Sequence, residues 1–218
     1  MSDPVLKAKW TYFFNIFLDI SKNGTVEWND FELLFEKVKE CRGEGSPEFV
    51  IIKDGCRMVW KGLLHEIRGI DIASSDDTES EINLNEWFEM WEKYNPKHQQ
   101  MWQWEYQKFM FFLLDSNGDK IVDKDEFGAV LAMFGVAKAD ADSAYEKVIC
   151  SSNHRPRPKL DLPGQRIAVG LMAAGILFQA KEKKELDWGL FARSWSQFFT
   201  SKDKDAPGNF LFGAKWQS

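Results

Sequence analysis

Cysteine and histidine are both scarce in this chain of 218 residues. Cys41, Cys56 and Cys150 are odd in number and unpatterned, which argues against a disulfide framework and suits a reducing compartment. With only His65, His98 and His154 available, no Cys/His or Ser/His arrangement and no metal-hydrolase spacing stands out, so the chain does not read as an enzyme. No glycine-rich loop ending in Lys-Ser or Lys-Thr is present to cradle a phosphate. No basic stripe exists either: 34 acidic residues outnumber 28 basic ones, and nucleic acid is an unsuitable partner. The apolar run Ile167 to Phe178 holds 12 residues, short of the roughly 20 that span a bilayer. Met1-Ser2-Asp3-Pro4 begins no charged-then-apolar leader, so the expected location is the cytoplasm.

What the chain has in quantity is aromatic and acidic residues. Its 10 Trp and 18 Phe supply material for a large core. The acidic excess concentrates in patterned stretches, most clearly Asp115-Ser116-Asn117-Gly118-Asp119-Lys120-Ile121-Val122-Asp123-Lys124-Asp125-Glu126, followed by Phe127. Oxygen-bearing side chains fall at positions 1 (Asp115), 3 (Asn117), 5 (Asp119) and 9 (Asp123). Ile121 at position 7 offers its carbonyl, Val122 at position 8 is β-branched, and Glu126 closes position 12. That is the layout of an EF-hand calcium loop, in which short side chains wrap the cation and a longer Glu reaches back from the exit helix. One departure matters. Position 6 normally holds Gly because the chain turns sharply there, and here it is Lys120, for which a left-handed conformation costs roughly 1–2 kcal/mol.

The grammar repeats upstream. Asp19, Ser21, Asn23, Thr25, Glu27 and Asp30 take positions 1, 3, 5, 7, 9 and 12 of a loop with Gly24 at position 6, Val26 at position 8 and Phe31 beginning the exit helix. A worn copy is framed by Glu86 at position 12, with Ser75, Asp77, Glu79, Glu81 and Asn83 at positions 1, 3, 5, 7 and 9. Ser75 lacks the carboxylate that seeds a site, so both a weak calcium site and a silent loop stay open. A fourth copy keeps the scaffold: Leu186-Asp187-Trp188-Gly189-Leu190 aligns with Val122 to Glu126, but Leu190 stands in place of the bidentate Glu and Gln179 in place of the first Asp. It should bind no calcium and should support its neighbour through an apolar pairing at position 8.

Hydrophobic periodicity and breakers predict helices over 6–18, 28–41, 48–67, 84–94, 100–114, 124–134, 137–147 and 187–199. Phe109, Phe112 and Leu113 are expected as the apolar stripe leading into the Asp115 loop. The tail from Asp205 to Gly213 is apolar enough to tuck back into the core. The fold expected is all-α, two pairs of helix-loop-helix hands in one compact globule. Hands 1 and 2 fall in 1–95, and hands 3 and 4 in 96–218 with the tail 200–218. A polar, Pro-broken and then apolar block over about 148–179 interrupts the fourth hand. Removing its 32 residues brings the first positions of hands three and four from 64 to 32 residues apart. Val148 can be encoded by a codon beginning GT and Gln179 by one ending AG, so a retained intron or splice variant is one expectation and an ordered insertion the other.

Asn15-Ile16-Phe17-Leu18-Asp19, Val26-Glu27-Trp28-Asn29-Asp30-Phe31-Glu32, Glu86-Trp87-Phe88-Glu89-Met90-Trp91, Phe191-Ala192-Arg193-Ser194-Trp195 and Pro207-Gly208-Asn209-Phe210-Leu211-Phe212-Gly213 resemble the invertebrate sarcoplasmic calcium-binding proteins, and within them the calexcitin group. The resemblance spans nearly everything except the block from about 148 to 180. It implies a compact, cytosolic globule of four EF-hands, a monomer that buffers Ca²⁺ with Mg²⁺ competing, or a neuronal or muscle signalling protein, and it names no protein target; Asp at position 12 of the first loop is a habit of that family. Two alternatives accompany this reading: a calexcitin-like sensor acting on membranes or channels, and a luciferin-type small-ligand protein, since related four-hand folds hold such a ligand in an aromatic cavity. The Met residues are scattered rather than gathered into a groove, which favours buffer over sensor.

Overall fold

The computed structural model describes residues 3–43, 47–71, 77–95, 101–150 and 185–217. Helix α1 (Pro4–Phe13) starts where Asp3 accepts the Val5 N–H at 2.9 Å and Pro4 occupies a position whose N–H would be unused. It runs into a π-turn, Phe14–Leu18, closed by the Asp19 N–H donating to the Phe14 carbonyl at 2.8 Å. The wider turn carries one more residue than an α-turn and leaves Asp19 buried at the mouth of the first loop. Strand β1 (Thr25–Glu27) and helix α2 (Trp28–Arg42) follow. The next unit is α3 (Pro47–Arg68), β2 (Glu81–Asn83) and α4 (Leu84–Glu92). Then come α5 (Met101–Leu114), β3 (Ile121–Val122), α6 (Lys124–Met133), α7 (Lys138–Cys150), β4 (Leu186–Asp187) and α8 (Trp188–Thr200).

The four short strands form two antiparallel ribbons. Val26 of β1 lies opposite Ile82 of β2, and Val122 of β3 lies opposite Leu186 of β4. Each ribbon therefore joins the eighth positions of two loops, and all four of these side chains are buried. The vestigial fourth loop keeps this pairing although its twelfth position is Leu190, itself buried. Ribbons this short have no stability of their own. They persist because the flanking helices bury their apolar side chains beneath them.

Aromatic rings fill the centre. Phe13 lies 4.9 Å from Phe199 and 5.0 Å from Phe212 between ring centroids, and Trp91 stacks on Phe199 at 4.6 Å. Helices α3 and α5 cross at Gly62, where an added Cβ would come within 2.8 Å of the Trp102 Cβ, so only glycine permits the approach. The tail does tuck inward: Phe210, Leu211 and Phe212 are buried. Tyr12 pins it by donating its hydroxyl to the Phe212 carbonyl at 2.7 Å. Lys9, also buried, donates to the Ser201 carbonyl at 2.6 Å and to Asn209 Oδ1 at 2.8 Å, closing the end of α8.

The helices fall within a few residues of their predicted limits, with three differences. Helix α4 stops at Glu92, and α7 continues to Cys150 because Ala141, Ala144 and Val148 keep one buried face. Phe112 is exposed, whereas Phe109 and Leu113 are buried, and Phe111, on the opposite side of α5, is covered by Trp188 and Phe191. Of the block expected over 148–179, Val148, Ile149 and Cys150 belong to α7, and the remainder lies outside the described residues.

Burial, reinforced by the charge of Asp140, pushes the Tyr12 phenol up to about 12. The unfolded chain releases this proton near pH 10, so the stability it confers is complete below pH 10 and is lost as pH rises toward 12. Tyr12→Phe should lower stability at pH 7 by about 1 kcal/mol and flatten the alkaline loss between pH 10 and 12. Denaturant midpoints of both proteins across that range check this, and an equally steep alkaline loss in the variant would refute it.

Candidate metal centre

The Asp115 loop connects α5 to α6. Helix α6 begins with a reciprocal cap, Asp123 Oδ1 accepting the Glu126 N–H at 2.8 Å and Glu126 Oε2 accepting the Asp123 N–H at 3.0 Å. Glu126 also reaches back across the loop: its Oε1 accepts the Ser116 N–H at 3.0 Å, the Ser116 hydroxyl at 2.6 Å and the Asn117 N–H at 3.2 Å. Asp115 Oδ2 accepts the Lys120 N–H at 3.0 Å. Asn117 Oδ1 accepts from Asp119 N–H, and Asp119 Oδ1 accepts from Ile121 N–H. The chain turns through two left-handed residues, Gly118 (φ 74°) and Lys120 (φ 70°), so Lys120 adopts the conformation its position demands.

One atom in this loop is anomalous. Asp115 Oδ1 is buried and has no hydrogen-bond partner. A buried carboxylate oxygen without a donor is costly. A hard cation coordinated there would satisfy it, and the surrounding donor set of carboxylates, an Asn amide oxygen and the Ile121 carbonyl has the chemistry such an ion takes. The residues fit a calcium-type ion.

The Asp19 loop follows the same plan on a smaller scale. Asp19 Oδ1 accepts the Asn23 N–H and Oδ2 the Gly24 N–H, each at 3.1 Å. Asp30 does the work of Glu126 with one methylene fewer: Oδ1 accepts the Ser21 N–H at 2.7 Å and Oδ2 the Glu27 N–H at 2.8 Å. Thr25 bridges Asn23 and Glu27 through its hydroxyl. Its left-handed residues are Lys22 (φ 64°) and Gly24 (φ 93°). Each loop thus places one lysine and one glycine at its fourth and sixth positions, in opposite order. The loops differ in exposure. Asp19 and Asp30 are only 3% and 1% exposed, whereas residues 116–120 lie open to solvent. Lys22 donates to the carbonyls of Asn15 and Asp19; burial lowers its ammonium pKa, against the opposing pull of the Asp19 and Asp30 charges.

In the worn loop, Asp77 folds onto its own turn, accepting the N–H groups of Glu79 and Ser80 at 3.0 Å and the Ser80 hydroxyl at 2.6 Å. Asn83 and Glu86 form the reciprocal cap of α4. Glu86 also pairs with Arg68 at 3.1 Å. Glu79 and Glu81 project from exposed positions, and Ser75 lies outside the described residues. In the fourth loop Asp187 Oδ1 caps α8 through the Leu190 N–H at 2.7 Å, and Gln179 lies outside the described residues. Among the described residues no three His, Cys, Asp or Glu side chains gather into one cation-sized group. The Asp19 and Asp115 loops instead mix carboxylates with Ser, Thr and Asn oxygens.

Sequence spacing missed Ser116 and Lys22. Ser116 sits at a non-ligand position and binds the twelfth-position carboxylate, for which spacing gives no signal. Lys22 resembles any exposed loop lysine until its backbone is seen.

Two ribbon-coupled pairs of helix-loop-helix units with acidic loops define an EF-hand protein. No protein-family model matches the chain. It is 28% identical to calexcitin-1 of Caenorhabditis elegans over 211 residues, 97% of this chain and 87% of the relative. Its fold matches a sarcoplasmic calcium-binding protein from amphioxus with a TM-score of 0.65 and 20% identity, covering 95% of this chain and 96% of the other. Calcium-loaded apo-aequorin from Aequorea victoria shares the fold with a TM-score of 0.57 and 17% identity, over 92% and 93% of the two chains. The chain thus has the EF-hand fold, and the proteins it is similar to include calexcitin-1 and sarcoplasmic calcium-binding proteins.

Lys120→Gly should relieve the left-handed strain and raise stability in chelator by about 1 kcal/mol, the penalty for a non-glycine residue there less glycine's entropy cost. Lys22→Gly should gain less, since it also removes the ammonium's two backbone contacts. Urea midpoints decide: no gain for Lys120→Gly would mean that the turn is not strained.

Proposed function

We propose that this protein reversibly binds calcium, as a cytosolic Ca²⁺/Mg²⁺ buffer without catalytic chemistry, and that the Asp115 and Asp19 loops carry the function. The unpartnered, buried Asp115 Oδ1 is the observation that carries this reading. Asp115, Asn117, Asp119, the Ile121 carbonyl, Asp123 and Glu126 would hold one ion. Asp19, Ser21, Asn23, the Thr25 carbonyl, Glu27 and Asp30 would hold the other. The likeness to calexcitin-1 and to a sarcoplasmic calcium-binding protein supports the same reading. Hands 1 and 2 (1–95) and hands 3 and 4 (96–218) form the two pairs.

The tail favours buffer over sensor. A sensor opens an apolar groove when it binds calcium, and here Phe210 to Phe212 already lie buried against α1 and α8. The packed rings around Phe13 likewise favour ion binding over a luciferin-type ligand. No helix among the described residues is long and apolar enough to cross a membrane.

Calorimetric Ca²⁺ titration with and without Mg²⁺ tests the reading. Glu126→Gln should abolish the tightest binding event, because it removes a ligand oxygen and a charge together; survival of that event would reassign the site.

The Asp19 loop should be the more tolerant of Mg²⁺. Asp30 already braces both ends of its loop with the shorter side chain, and Mg²⁺ prefers six oxygens at about 2.0–2.1 Å where Ca²⁺ accepts more at about 2.3–2.6 Å. Asp30→Glu should raise Ca²⁺ affinity and weaken Mg²⁺ competition there, with little change at the Asp115 loop. Trp28, inside the loop, reports the titration by fluorescence, and unchanged Mg²⁺ competition would show that position 12 does not set the selectivity.

A further inference from the structure

The second loop contains a positive charge that none of the loop patterns anticipates. Helix α3 ends at Arg68, and Gly69 (φ 69°) turns the chain away, its N–H donating to the His65 carbonyl at 2.8 Å. The Arg68 side chain continues where the backbone leaves off. Its Nε and Nη2 donate to Glu86 Oε1 at 3.3 and 3.1 Å, its Nη1 to the Ser80 hydroxyl at 3.3 Å, and its Nη2 also to the Glu81 carbonyl.

These acceptors are not arbitrary. Glu86 is the twelfth position of the loop, and the Glu81 carbonyl is the seventh. In a metal-binding loop those are the carboxylate that reaches back and the backbone oxygen that closes the cage. We infer that the Arg68 guanidinium is the resident cation of the second loop, taking oxygens a metal ion would use and excluding the ion from that loop.

The chemistry is balanced. A guanidinium is permanently charged, and its planar fork can donate to several oxygens at once. It brings one positive charge into a loop that carries Asp77, Glu79, Glu81 and Glu86. The Ser80 hydroxyl, the N–H groups of Glu79 and Ser80, and the Arg68 charge together hold the Asp77 carboxyl below its usual range. The arrangement also fits the ribbon. Glu81 pairs with Glu27 across β1 and β2, so a donor on the Glu81 carbonyl steadies the strand that backs the Asp19 loop. The second hand would thus remain closed at any calcium level and serve as a fixed partner for the first.

The inference rests on the ion-binding reading of the Asp19 and Asp115 loops, and the two can fail separately. Bound Ca²⁺ is counted by native mass spectrometry and calorimetry on the full chain at millimolar calcium. Arg68→Ala should bind one more Ca²⁺ per chain than the unaltered protein, and adding Glu86→Gln should remove that ion again. In the otherwise native chain, Glu86→Gln should leave the count unchanged. Equal counts for the unaltered protein and Arg68→Ala would overturn the inference, as would the loss of an ion in Glu86→Gln alone. Should Arg68→Ala not fold, the Glu86→Gln count decides by itself. A native chain that binds no Ca²⁺ would instead overturn the function proposed for the other two loops, while the comparison with Arg68→Ala would still report on the second.

Discussion

Crowding carboxylates into a twelve-residue turn is electrostatically unfavourable, and the rest of this structure is arranged around that cost. Asp115, Asp119, Asp123 and Glu126 share one twelve-residue turn, and like charges so placed in sequence repel one another. They are held by backbone N–H groups: Lys120 donates to Asp115, Ile121 to Asp119, Glu126 to Asp123, and Ser116 and Asn117 to Glu126. Aiming so many donors inward requires a backbone that curls tightly, which is why two left-handed residues fall within three positions. The curl in turn leaves the loop without internal support on its outer side. The ribbon between paired loops supplies it, and the aromatic core anchors the ribbon.

The twelfth residue is the hinge of this arrangement. It caps the exit helix, braces the start of the loop and is the last ligand in the proposed site. Asp30 and Glu126 perform the first two tasks with side chains of different length, so the two loops share a topology although their twelfth residues differ. Glu86 performs the helix-capping task and turns its remaining oxygen to Arg68. Leu190 performs neither polar task, yet its loop survives because Asp187 caps α8 and Leu186 still pairs with Val122. The scaffold tolerates losing its ligands provided that the eighth position stays apolar.

Most of this was legible in the chain itself. The helices, the loop positions and the pairing of Val26 with Ile82 and Val122 with Leu186 follow from local periodicity and from a fixed spacing, and such signals lie within a dozen residues. What escaped is non-local or depends on backbone shape. Arg68 lies seven residues before the framed start of the second loop, on a helix end, so a pattern confined to twelve positions cannot include it. Lys9 has the look of a polar helix residue and is buried only because Ser201 and Asn209 arrive from the other end of the chain. The π-turn before Asp19 carries no compositional mark, since Phe14 to Leu18 would suit an α-helix equally well.

The clasp between α1 and the tail has a kinetic side. Lys9 and Asn209 are separated by 200 positions in sequence, as are Tyr12 and Phe212. Contacts of such separation are the slowest to form, because the entropy of closing the chain is lost before they return anything. Phe13 therefore belongs to a face that is complete only when a far later segment docks. Until then a nascent or partly opened molecule presents a broad aromatic surface beside α1. Such a surface is a natural handle for chaperones, and a hazard for self-association in a crowded cell.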